Sequence, residues 1–137
     1  MRRTAVLVLA LLLAPLARAG GPDAKVLEDT GRWESGYGAK FYNVVGKLQN
    51  TSDHPLRFVK LRIEVLDESG KVVATTDTWN ESAEGLGVPD VPQAEYLAKV
   101  KPLPAGATER FRGSFLEEET PPFKTHRVTI VETPAAK

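Results

Sequence analysis

The chain has 137 residues, with 18 basic and 18 acidic side chains, two histidines and no cysteine. Disulfides and cysteine-based metal sites are therefore excluded, and the balanced charge supplies no electrostatic drive toward nucleic acid or an anionic membrane. Its one methionine is the initiator, which excludes a methionine-rich copper carrier.

Arg2 and Arg3 precede an apolar run from Ala5 to Leu13, and Ala17-Arg18-Ala19 puts small residues at the two positions a signal peptidase reads. That run is shorter than the roughly 18 residues needed to span a bilayer. Residues 1–19 therefore read as a cleaved secretory signal, with Ala17, Ala19 and Gly20 around the scissile bond. The paired arginines suggest a twin-arginine route, but Thr4-Ala5-Val6 does not continue that signal, so the general route is favoured. Cleavage removes Arg2, Arg3 and Arg18, leaving 15 basic against 18 acidic side chains and a net charge of −3. The expected location is the periplasm or exterior of a bacterium, without stable membrane insertion after cleavage. The mature length suits one domain, since domains cluster at about 100–150 residues. Residues 20–30 read as a flexible segment, 31–132 as the domain and 133–137 as a disordered tail.

Within the domain the apolar period is two. In the run Phe41–Asn50, Val44, Gly46 and Leu48 share one face. Asn50 to Pro55 is dense in turn formers. Val59 to Val65 then alternates without error, directing Val59, Leu61, Ile63 and Val65 to a core and Lys60, Arg62 and Glu64 to water. Phe58 and Leu66 break the alternation, as a bulge or a strand end would. Asp67-Glu68-Ser69-Gly70 has the residue preferences of a type I turn, and with Gly70 left-handed it predicts a hairpin into Lys71–Trp79. Asn80 to Pro92 reads as a long loop. Gln93–Val100 fits two helical turns, with Tyr96, Leu97 and Val100 on one side, and equally an extended run. After the tight turn Leu103-Pro104-Ala105-Gly106 come a strand at Thr108–Phe115, with Phe111, Gly113 and Phe115 on one face, and a last strand at Thr125–Glu132, with Val128 and Ile130 inward. Short strands between turn clusters predict an all-β antiparallel sandwich or barrel.

The segment Val44–Thr75, "VVGKLQNTSDHPLRFVKLRIEVLDESGKVVAT", resembles the FxLYD domain of bacterial exported proteins. Gly46, Asn50, Thr51, Ser52, Val59, Asp67, Gly70 and Lys71 stand at matching places. The name motif is degraded: Ile63-Glu64-Val65-Leu66-Asp67 keeps only the aspartate. "LPAGATERF", Leu103 to Phe111, is similar to a later family segment, with Ala105 as an extra residue between proline and glycine. The resemblance implies an immunoglobulin-like β-sandwich of the bacterial envelope or exterior, usually without assigned activity, and it carries over no catalytic residue.

The chemistry-bearing residues give no further motif. Ser52-Asp53-His54 has the three residue types of a nucleophilic triad, but consecutively in a turn, where the relay of hydrogen bonds is not expected. Ser114 lacks the G-x-S-x-G elbow. Two isolated histidines do not build a closed zinc site, and three consecutive glutamates, Glu117–Glu119, do not form a spaced calcium loop. No catalytic residue, metal site or cofactor is assigned. Asn50-Thr51-Ser52 and Asn80-Glu81-Ser82 match the N-glycosylation triplet and read as turn residues. Trp33, Tyr37, Tyr42, Trp79 and Tyr96 could stack on sugar rings or anchor a protein partner; Trp33, Trp79 and Tyr96 are kept as binding candidates, weighed against core packing. The expectation is an exported, non-catalytic module that binds or scaffolds a protein or glycan of the cell envelope. The alternatives are a carbohydrate-binding module using exposed aromatics, and a small hydrolase drawing a carboxylate pair from Asp77, Glu84, Asp90 and Glu95.

Overall fold

The computed structural model describes residues 23–90 and 92–136. The expected signal peptide, its cleavage residues Ala17, Ala19 and Gly20, and the start of the expected flexible segment lie outside the described residues.

Six strands follow in chain order: β1 (Ala24–Gly36), β2 (Ala39–Asn50), β3 (Lys60–Leu66), β4 (Val72–Trp79), β5 (Thr108–Leu116) and β6 (Thr125–Glu132). They form two antiparallel three-stranded sheets, ordered β1-β2-β5 and β4-β3-β6. The chain crosses from one sheet to the other after β2, after β4 and again after β5. This order corresponds to strands A, B, E and C′, C, F of an immunoglobulin-like sandwich, so the all-β sandwich expected from the period-two pattern is what the chain forms.

The core explains why the alternation was so regular. Val59, Leu61, Ile63 and Val65 are all fully buried, facing Val44 and Leu48 of β2 and Phe111 and Phe115 of β5. Each such side chain contributes roughly 1.5–3 kcal/mol by leaving water. Gly113 leaves room for Ile63 of the facing sheet, since a Cβ there would lie 2.7 Å from the Ile63 Cδ1 atom. The Leu66 irregularity is a register shift between Val65 and Leu66. Phe58 is buried too, but in a second, smaller core with Ala83 and Leu86. The β3–β4 hairpin has the expected turn: Gly70 has φ 86°, its N–H donates to the Asp67 carbonyl at 3.0 Å, and the Asp67 carboxylate accepts from Ser69 and Lys71 N–H groups. The Ser69 hydroxyl also donates to that carboxylate at 2.7 Å, and this bond first, with the Lys71 N–H, holds the Asp67 carboxyl below its ordinary pKa.

Three expectations are corrected. Residues 24–30, read as flexible, belong to β1, which pairs with β2 from Ala24↔Asn50 to Gly36↔Ala39. An edge strand with one interrupted register (Val26/Glu28) and mostly exposed side chains shows no alternation to read. Residues 134–136 of the expected disordered tail are paired: Arg57 N–H donates to Pro134, Ala136 N–H donates to Pro55, and Leu56 bridges both Ala135 and Leu103. Backbone pairing of this kind needs no apolar side chain. Finally, the expected loop after Asn80 contains a 3-10 segment, Glu81–Gly87, and the helical option holds for α1 (Gln93–Leu97).

Ile63→Asp should lower folding stability by about 3 kcal/mol or more, because it places a charge in the fully buried core. Arg62→Gln should cost far less, because its ion pair with Asp77 is exposed, and Arg62→Asp somewhat more than Arg62→Gln, since position 62 faces Asp77 across the sheet. Urea midpoints of the three variants check the order.

Candidate functional site

The turn that carries Ser52-Asp53-His54 is organised by Asn50, whose side chain is fully buried. The Asn50 Nδ2 atom lies 2.9 Å from the His54 carbonyl, 3.0 Å from that of Leu103 and 3.1 Å from that of Pro104. The Asn50 Oδ1 atom accepts from the Ser52 N–H at 2.9 Å and the Ser52 hydroxyl at 2.7 Å. The Ser52 oxygen is thus committed to the turn. The His54 ring lies beside Asp53, 3.1 Å from its carboxylate, and that hydrogen bond is the main cause holding the Asp53 carboxyl below its ordinary pKa. The Ser52 oxygen bonds Asn50 and the His54 backbone, and the imidazole bonds Asp53, so no relay runs through the imidazole to the serine.

Asn80 plays the matching part at the other crossover. Also fully buried, it accepts the Val59 N–H at 2.8 Å and donates to the Glu109 carboxylate at 2.8 Å. Glu109 also accepts the N–H and hydroxyl of Ser82, each at 2.8 Å. A carboxylate from β5 thereby binds the Ser82 N–H in the first turn of the 3-10 segment. Both asparagines of the glycosylation triplets have their amides inside the protein, where an oligosaccharide cannot be attached.

Trp79 and Tyr96 pack against the smaller core with Leu97 and Val100. The Tyr96 hydroxyl accepts the Gly85 N–H at 3.1 Å, and the Lys60 Nζ sits 5.4 Å from the Trp79 ring centre. Trp33 lies elsewhere, at the end of the sandwich near the β1–β2 turn. Its ring stacks on Phe123 (5.5 Å) and meets Tyr42 (5.3 Å), while Tyr42 meets Phe123 edge-on at 4.9 Å.

Beside this aromatic group runs a chain of hydrogen bonds that pattern reading missed. His126 of β6 has its Nε2 2.6 Å from the Asp29 carboxylate on β1 and its Nδ1 2.8 Å from the Tyr42 hydroxyl on β2. An acceptor-only carboxylate requires the proton on Nε2, so in the neutral ring Nδ1 accepts from Tyr42. Oxygen, imidazole and carboxylate in series is the order of a general-base relay. Here the oxygen is part-buried and packs against Gly31, where a Cβ would lie 2.1 Å from it. Burial first, and the Asp29 charge second, push the Tyr42 pKa up, so it remains a donor. The chain clasps β1 and β2 of one sheet to β6 of the other. On the opposite side of the sandwich, the Thr78 hydroxyl donates to the Arg112 carbonyl at 2.5 Å. Asp29 and His126 are 97 positions apart, and the sole local signal was Gly31 within a strand.

The carboxylates considered for hydrolysis are dispersed. Asp77 is held by Arg62 at 2.9 Å and Lys60 at 3.7 Å, Glu84 lies 3.7 Å from Arg112, and Asp90 and Glu95 are exposed in the 88–95 region. Ser114 donates to Asn43 at 2.6 Å on the outer face of its sheet. Among the described residues no group of three or more His, Cys, Asp or Glu side chains is arranged to hold a metal ion.

The most exposed aromatic is Tyr37, at the tip of the β1–β2 hairpin, with a relative accessibility of 108%. Tyr37 and Gly38 both have positive φ, 52° and 77°, the signature of a two-residue type I′ turn in which asparagine and glycine are the favoured residues. A depression of about 520 Å³ lies beside this tip, bounded by Lys40 and by Glu117 and Glu118 of the 3-10 turn Glu117–Glu119.

Asn50→Ala should destabilise by about 2–4 kcal/mol, since it strips partners from several enclosed polar groups at once; a calorimetric melt measures it. The bond to Arg62 chiefly, then that cation's charge and that of Lys60, depress the Asp77 carboxyl from its ordinary value of 3.8 against an opposing desolvation effect. Its stabilising contribution is therefore present above the ordinary value and is lost as pH falls through the depressed one. Asp77→Asn should accordingly cost stability near pH 6 and progressively less as pH falls below the ordinary carboxylate value, by urea unfolding across that range. No family model, curated protein or solved structure matches the chain.

Proposed function

We propose that this chain is an exported, non-catalytic β-sandwich module that docks onto another component of the bacterial cell envelope through its β1–β2 hairpin end, consistent with the FxLYD-like segment Val44–Thr75. The observation that carries the reading is Tyr37. A bulky side chain in the left-handed region costs about 1–2 kcal/mol, and at this site it returns no packing, because the ring stands wholly in solvent. Strain retained at an exposed aromatic supports a role in recognition. Half-exposed Trp33 lies close to the same tip. The groups suited to nucleophilic chemistry are engaged in turns and inter-sheet clasps, which supports a binding role over a hydrolytic one.

The glycan-binding alternative rests on Trp33, 41% exposed. Its ring already carries Phe123 and, 5.3 Å from its centre, the Lys40 ammonium. This leaves Tyr37 as the aromatic free to meet a partner and favours a protein over a sugar.

Tyr37→Asn separates fold from function. It should leave the unfolding midpoint unchanged or raise stability by up to about 1 kcal/mol, while abolishing capture of the partner from envelope extract by the immobilised mature chain. Equal capture by both proteins would overturn the assignment of the docking end.

A further inference from the structure

The hairpin end also carries information about the partner's chemistry. Lys40 of β2 places its Nζ 5.3 Å from the centre of the Trp33 ring and 3.8 Å from the Glu117 carboxylate. A cation between an aromatic ring and a carboxylate is the arrangement by which proteins receive a lysine or arginine from another chain. Here the protein fills it with its own side chain. The contact is open to exchange, since the Lys40 and Glu117 side chains are 49% and 55% exposed, and an exposed ion pair contributes little to stability.

The surrounding charge is predominantly of the same sign as Glu117, with Asp67, Glu68, Glu118 and Glu119 set against Lys71 and Lys124. Glu118 and Glu119 continue that 3-10 turn, and Glu68 occupies the β3–β4 turn at the same end, where Lys124 N–H donates to the Leu66 carbonyl. The outer face of the β4-β3-β6 sheet offers a contrast. There Arg62 and Lys60 are paired with Asp77, and Arg127 with Glu64 at 2.8 Å. The charges of that face are satisfied internally, whereas the hairpin end combines exposed aromatics with surplus carboxylate.

We infer that the hairpin end receives a basic polypeptide segment, an arginine or lysine of which displaces Lys40 from between Trp33 and Glu117. The inference rests on the docking end proposed above and adds the partner's chemical class. Guanidinium is the better competitor, because it both stacks on an indole and binds a carboxylate through paired N–H groups. Tyr37, at the rim, would cover the aliphatic part of the incoming chain.

Hexa-arginine and hexa-glutamate peptides, titrated calorimetrically into the folded mature chain at about 0.1 M salt, test this. Hexa-arginine should bind and hexa-glutamate should not. Lys40→Gln should strengthen hexa-arginine binding about threefold, and Glu117→Gln should weaken it about threefold. Lys47→Gln, which removes the same charge from the outer face of the same sheet, seven residues along β2 from Lys40, should change it much less. These positions are exposed, so the variants remain folded. Equal effects of Lys40→Gln and Lys47→Gln would show general electrostatics only and overturn the displacement. No binding of hexa-arginine, with Tyr37-dependent capture intact, would overturn the basic partner alone. Capture insensitive to Tyr37→Asn would remove the docking end itself.

Discussion

The side-chain amide of Asn50 is sealed from water and bonds to the backbone on both sides of a crossover, and the sandwich depends on that arrangement. The crossover from β2 to β3 must leave one sheet, turn past Pro55 and enter the other, exposing backbone groups that no strand can pair. Asn50 supplies acceptors and donors for them and at the same time reaches Leu103 and Pro104, at the return into β5. The backbone of the same residue pairs with Ala107 and Gly106. One residue thus fixes the separation between the end of β2 and the start of β5. Leu56, held between Leu103 and Ala135, extends that anchor to the end of the chain.

Asn80 repeats the solution at the crossover after β4, with a carboxylate added. Glu109 could have been a solvated side chain on an edge strand; it instead ties Asn80 and Ser82 to β5. The smaller core of Phe58, Ala83 and Leu86 then closes over the ends of β3 and β4. Buried polar side chains that are fully bonded specify geometry more sharply than apolar ones, because an alternative arrangement leaves them unpaired. In a chain without disulfides these amides, with the Asp29–His126–Tyr42 clasp, hold the two sheets at a fixed offset.

What could be read from sequence follows from where each strand lies. β3 is the centre of its sheet, with one face on the core and the other in water, so Lys60–Leu66 displays the pattern directly. β1 is an edge. Its inward positions include Asp29, Gly31 and Trp33, which serve a clasp and an aromatic cluster, and no apolar stripe results. The Asp67–Gly70 turn was legible because its geometry is set by its own four residues, whereas the 3-10 segment depends on Glu109, 27 positions from Ser82. The candidate site divided in the same way. Trp33 was visible as an aromatic, but its neighbours Lys40, Phe123 and Glu117 converge only through the fold. Tyr37 was visible as an aromatic too, but a Gly-Tyr-Gly sequence suggests nothing about the sign of φ or the full exposure of the ring.

Asn50 also has a bearing on how the chain acquires its structure. The two hairpins, β1–β2 and β3–β4, close over short turns and are of the kind that forms in microseconds. The Leu103 carbonyl that Asn50 requires lies 53 residues onward, so during synthesis β2 is complete well before its amide can be satisfied. Until then the core face of β2 and an unpaired edge stand open together, a combination that favours association between chains. The arrival of β5 beside β2, like that of β6 beside β3, is a non-local closure whose entropy must be met before its contacts form.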